Sequence, residues 1–150
     1  MSVIVCISAA PWQSTPTRTQ QLMTRVKGAE VLFFEPPGTG DHRRPGRKVR
    51  PGVTAYSLPG RWSTRVKPGL GFRHQCRRVA DYIQGVLRKL DQRDPLLWCA
   101  TPWGVHLLDY LPYKGLVYDC DRYWTGLPLD WESDLCLGAD VVFAASAGLV

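Results

Sequence analysis

Two short stretches join a rigid turn to an aromatic platform, Pro11-Trp12-Gln13-Ser14 and Thr101-Pro102-Trp103-Gly104. Indole faces stack on the C–H faces of sugar rings, and Gln13, Ser14 and Thr101 bring groups that bond hydroxyls. The competing role for both tryptophans is to cap the core beneath their loops. A third stretch, Tyr118-Asp119-Cys120-Asp121, sets two carboxylates two residues apart. That spacing serves bonds to substrate hydroxyls or a general base, and it serves equally to hold a turn or cap the next element. His42, His74 and His106 make no HxxxH pair. His106, just past the second Pro-Trp turn, is the best placed of them for catalysis, against a commoner surface or helix-cap role. Neither a Ser-His-Asp set nor a metal-ligand spacing is legible.

The elements that must hold these groups follow from hydrophobic pattern. Val3-Ile4-Val5-Cys6-Ile7-Ser8 is continuously apolar, which predicts a strand covered on both faces, as in a parallel sheet. Further strands are predicted at residues 30–34, 53–58, 95–100, 116–118 and 140–145. Residues 19–26 predict a helix with Leu22, Met23 and Val26 inward, and residues 129–137 a short acidic one. The clearest periodicity is Phe72, Cys76, Val79, Ala80, Ile83, Val86, Leu87 and Leu90, one apolar helical stripe whose other positions carry Arg73, Arg77, Arg78, Arg88 and Lys89. Residues 38–51, rich in Gly, Pro and Arg, read as an exposed loop, and residues 61–71 as a second basic stretch.

Strands alternating with helices predict an α/β, Rossmann-like domain with a mainly parallel sheet and flanking helices. With strand order 3-2-1-4-5-6, the reversal falls between the first and fourth strands. The two Pro-Trp turns would then face each other across the ligand crevice. Ala9-Ala10-Pro11-Trp12-Gln13-Ser14 after the first strand contains no GxGxxG, which argues against NAD or FAD held at that turn.

The 150 residues, 45% apolar and 21% charged, suffice for one domain with a sizeable core and exclude disorder of the whole chain. The net charge of +6 points to an anionic partner without choosing it. It is also segregated, with 14 Lys and Arg against two acids from residue 43 to 93, and seven acids against two basic residues from 109 to 140. Five scattered cysteines without a CxxC pair read as reduced thiols of a cytoplasmic protein. No apolar run reaches the length of a membrane span, and residues 3–10 lack the positive segment that precedes a signal core.

In order along the chain, these pieces resemble the N-terminal half of GT-B glycosyltransferases of the bacterial cell-surface polysaccharide group, including teichuronic-acid-type enzymes. The resemblance is carried by Pro11-Trp12, Arg18 with Gln20-Gln21-Leu22, Val31-Leu32-Phe33-Phe34-Glu35-Pro36, Leu97-Trp98 with Thr101-Pro102, Leu116 through Trp124, Glu132, and Ala139 through Ser146. It implies a single acceptor-side domain, residues 1–150, that works opposite a donor lobe in moving a sugar from a nucleotide-sugar. It implies no bound metal or cofactor, the nucleotide-sugar being a substrate. Trp12, Gln13, Ser14, Arg18, Thr101, Pro102, Trp103, Asp119, Asp121 and Ser146 are the expected acceptor-side residues, with no catalytic residue assigned. The family continues into a donor-binding domain whose paired glutamates have no counterpart here. The expectation is therefore a truncated or split enzyme, incomplete at its C-terminus and inactive alone, whose partners are a sugar or lipid-linked acceptor and a separate donor-binding polypeptide. The basic segment suits peripheral contact with the anionic inner face of a membrane. The alternative is a basic, non-enzymatic module for nucleic acid or an anionic membrane; nucleic acid is disfavoured because no helix-turn-helix, RNP-like or zinc-finger signature is present.

Overall fold

The computed structural model describes residues 2–13, 15–60, 70–122, 124 and 127–145. The strands are β1 (Ser2–Ile7), β2 (Ala29–Glu35), β3 (Arg47–Arg50), β4 (Val53–Ser57), β5 (Leu96–Cys99), β6 (Gly115–Cys120) and β7 (Val141–Ala144). The helices are α1 (Arg18–Thr24), α2 (Leu70–Lys89) and α3 (Leu129–Gly138), with a 3-10 turn over Pro102–Leu107 after β5. One sheet orders the strands β3-β4-β2-β1-β5-β6-β7, parallel throughout except for β3 against β4. The six expected strands take the expected order, with the reversal between β1 and β5.

Strand alternation divides the core into two layers. Val3, Val5 and Ile7 of β1 pack with Val79, Ile83 and Leu87 of α2 and with Trp131 and Leu135 of α3. Ile4 and Cys6 face the other way, toward Phe33, Ala55 and Met23 of α1. α2 is long because its apolar stripe is unbroken. α1 is short, and Thr17 caps it by accepting from the Gln20 N–H at 3.2 Å.

Three expectations change. Residues 38–51 are not all loop: Arg47–Arg50 adds an antiparallel edge strand, turned into β4 at Gly52, whose φ of 78° suits glycine. Strand β6 runs on to Cys120, so Asp119 lies inside a strand rather than in a turn. Helix α1 begins at Arg18 and ends at Thr24, short of Val26. The basic stretch at 61–69 lies outside the described residues.

The 3-10 turn lies close on the sheet. A Cβ on Gly104 would meet the Cys99 Sγ at 2.7 Å, and both residues are buried. Gly104→Ala is expected to destabilise by about 1 kcal/mol, moving the thermal midpoint down by about 2–4 °C in a circular-dichroism melt.

Candidate functional site

Most of the core is apolar, yet five polar residues are buried at the carboxyl ends of the strands: Ser8, Glu35, Ser57, Thr101 and Asp119. Four share a single transverse row. Glu35 pairs with Ser57 and Asp119 with Phe143 in the register of their strands. The ladder continues through the Ser8 N–H to the Phe34 carbonyl (3.1 Å) and the Ala100 N–H to the Ile7 carbonyl (3.0 Å), placing Ser8 and Ala100 between them. The row lies on the α1 side of the sheet and crosses the point where strand order reverses. Open α/β sheets bind their ligands at that point.

Glu35, the last residue of β2, organises one end of the row. Its carboxylate accepts from both Arg47 terminal nitrogens (2.9 and 2.8 Å), from the Trp12 backbone N–H (2.7 Å) and from the Ser57 hydroxyl (3.4 Å). The pairing holds the Arg47 guanidinium protonated more firmly than usual. Gln20 fixes the same turn by accepting from the Gln13 N–H (2.9 Å) and donating to the Gln13 carbonyl (2.8 Å). Trp12, edge-on to Phe33 at 5.1 Å, thereby becomes a wall shared by two hollows. One, of about 510 Å³, adds Arg44, Arg47 and Ser57; the other, of about 450 Å³, adds Gln13, Gln21 and Arg50.

Asp119 organises the other end. It is wholly buried, its Oδ1 accepts from Arg18 at 2.9 Å, and its Oδ2 has no hydrogen-bond partner among the described residues. Burial pushes its carboxyl pKa up against the opposing pull of Arg18, with a further push from Asp121. Arg18 keeps about a third of its side chain in solvent, 38% by area, so the guanidinium is held from beneath and open outward. Asp121 pairs with its neighbour Arg122 at 3.1 Å, an exposed turn contact.

The two Pro-Trp turns do not face each other. Trp103 is only 4% exposed and belongs to the α2 and α3 layer, while Trp12 packs with the α1 layer. The physical reason is the 3-10 turn at Pro102, which tucks Trp103 down onto the sheet face opposite Trp12. Thr101 and Pro102 are buried with it. Of the expected residues, Trp12, Gln13, Arg18 and Asp119 therefore gather at the α1 side of the rim. Ser14 and Ser146 lie outside the described residues. His106 is wedged edge-on between Phe72 (4.8 Å) and Trp131 (4.4 Å) on the opposite layer. Burial lowers its pKa although Asp130, Asp109 and Asp134 pull the other way, so it is a packed neutral ring.

Glu35, Ser8, Ser57 and the arginines Arg44 and Arg47 were not among the expected site residues. The legible signal was the charge closing Val31-Leu32-Phe33-Phe34-Glu35, since an acid at the end of a fully buried strand must have a partner.

No family model matches this sequence, nor does any curated protein. Solved structures do resemble the fold. A chain of sucrose-phosphate synthase from Thermosynechococcus elongatus has a TM-score of 0.65 at 16% identity, over 99% of this chain and 78% of that one. A second chain of that synthase gives 0.61 at 15% identity, over 95% of this chain and 42% of that one. An E. coli trehalose-6-phosphate protein bound with UDP-2-fluoro glucose gives 0.54 at 16% identity, over 94% and 39%. The chain spans about two fifths of the length of these last two. The likeness is one of fold: a Rossmann-like α/β domain of the kind found in the GT-B glycosyltransferases to which these structures belong.

Proposed function

We propose that this chain is the acceptor-side domain of a glycosyltransferase that moves a sugar from a nucleotide-sugar donor. The observation that carries the reading is the buried polar row at the strand ends. A row of Ser57, Glu35, Ser8 and Asp119 interrupts the mostly apolar buried core of the sheet where this fold class takes its ligands. In this reading Trp12 stacks on the acceptor ring, Arg44 and Arg47 face an anionic group on it, and Arg18, steadied by Asp119, meets charge from the other end of the row. Donor contacts come from a second lobe, in keeping with solved chains more than twice as long as the span matched here. In this reading transfer needs the contacts of both lobes, this one holding the acceptor and the other the donor. The finer setting, cytoplasmic synthesis of a cell-surface polysaccharide, is supported by the ordered sequence segments given above and by five free thiols.

Calorimetric titration with free sugars, sugar phosphates and UDP-glucose tests the assignment. A sugar or sugar phosphate is expected to bind more tightly than UDP-glucose, and Trp12→Ala to weaken it about tenfold. Tighter binding of UDP-glucose, or binding indifferent to Trp12, would overturn the acceptor-side reading.

A further inference from the structure

We infer that the outer face of α2 is a docking surface for an anionic lipid bilayer. The inward stripe of this helix is consumed by the core through Val79, Ala80, Ile83 and Leu87. What remains outside is Arg73, Arg77, Arg78, Arg88 and Lys89, all exposed, against the single acid Asp81. Four ion pairs occur among the described residues and none uses an α2 side chain. The face therefore keeps its charge along a helix of 20 residues, about 30 Å long.

The end of this ridge has an apolar feature. A hollow of about 370 Å³ opens beside Lys89, with Tyr56, Tyr82, Val86 and Leu90 as walls and Arg44 at its edge. Burial raises both phenol pKa values, so the walls add no negative charge, and Leu90 is exposed. Cations in a row beside an apolar-walled hollow and an exposed leucine complement a phosphate layer over acyl chains. Nucleic acid is less well matched, because the exposed ridge offers a single imidazole, His74, for stacking, and its two glutamines, Gln75 and Gln84, are half-buried and donate to the Pro59 and Tyr110 carbonyls rather than facing outward to read base edges. No helix among the described residues is long and apolar enough to cross a membrane, so the contact is peripheral.

Co-sedimentation with vesicles of phosphatidylcholine, alone or with about 30% phosphatidylglycerol at about 0.1 M salt, tests the inference. The chain is expected to pellet with the anionic vesicles only. Each cation near such a surface contributes about fivefold, so Arg77→Glu with Arg78→Glu and Arg88→Glu should reduce partitioning by about a hundredfold or more, and the matching Gln variants by less. An unchanged thermal melt and unchanged sugar titration would show that the variants fold and that the rim is separate. Equal binding to neutral vesicles, or retention by the Glu variant, overturns the inference. Tighter binding to duplex DNA than to anionic vesicles at the same salt overturns it in favour of nucleic acid.

Discussion

Replacing Glu35 with alanine is expected to cost about 2 kcal/mol and to lower the thermal midpoint by about 4–8 °C. The loss is not that of a simple salt bridge. Arg47 has 52% of its side chain in solvent and rehydrates once its partner is gone, so the ion pair itself contributes little. The Trp12 backbone N–H, at 2.7 Å from the carboxylate, has no such recourse in its half-buried turn. With it goes the reason for the Pro11-Trp12 turn to lie against β2, and for β3 to remain on the sheet edge. Hydrogen exchange at Lys48 and Val49 should accelerate in the variant while exchange at β1 amides stays slow. Glu35→Gln keeps an acceptor of the same size and should recover about half of the loss. A melt unmoved by Glu35→Ala would mean that the turn is held by Gln20 alone.

Asp119→Asn is expected to act in the opposite direction on stability and to damage binding. A carboxyl whose folded pKa lies above its unfolded value of 3.8 stabilises the fold fully below about pH 3.8, and that contribution is lost as pH rises through the folded value. Above that folded value the carboxylate of the wholly buried Asp119 is therefore a net burden. The neutral amide removes it and should raise stability by about 1 kcal/mol, with the advantage over the native chain vanishing as pH falls toward 3.8. Urea unfolding at pH 7 and at pH 4 measures both ends. The same change takes away the charge that steadies Arg18, so affinity for a phosphorylated acceptor should fall by about tenfold while stability rises. Residues retained at a stability cost are characteristic of binding sites. A variant less stable than the native chain at pH 7 would instead make Asp119 an anchor for α1.

The sheet was legible because its strands are continuous apolar runs that nothing but a doubly covered sheet can bury. The edge strand β3 was not, since Arg47-Lys48-Val49-Arg50 has one apolar residue and owes its conformation to the β4 ladder and to Glu35. Asp119 read as a turn residue because Tyr-Asp-Cys-Asp is polar in sequence; the strand tolerates it through Arg18, which is 101 residues away. Trp12 and Trp103 were indistinguishable as residue types in matching turns. Their fates diverge according to which side of the sheet each loop falls on, a parity set by the 3-10 turn and by no local signal.

Strand β7 is the last in the sheet among the described residues, and Val141, Val142 and Phe143 each keep close to half of their surface in solvent. Where the β3 border is guarded by arginine and lysine, this border carries no charge at all. Among the described residues nothing pairs with the outer ladder groups of β7, and such groups beside greasy side chains invite like chains to stack. Shelf life in concentrated solution should accordingly be governed by this one border rather than by unfolding, with light scattering growing as stocks are concentrated and a lysine in place of Val142 keeping them clear.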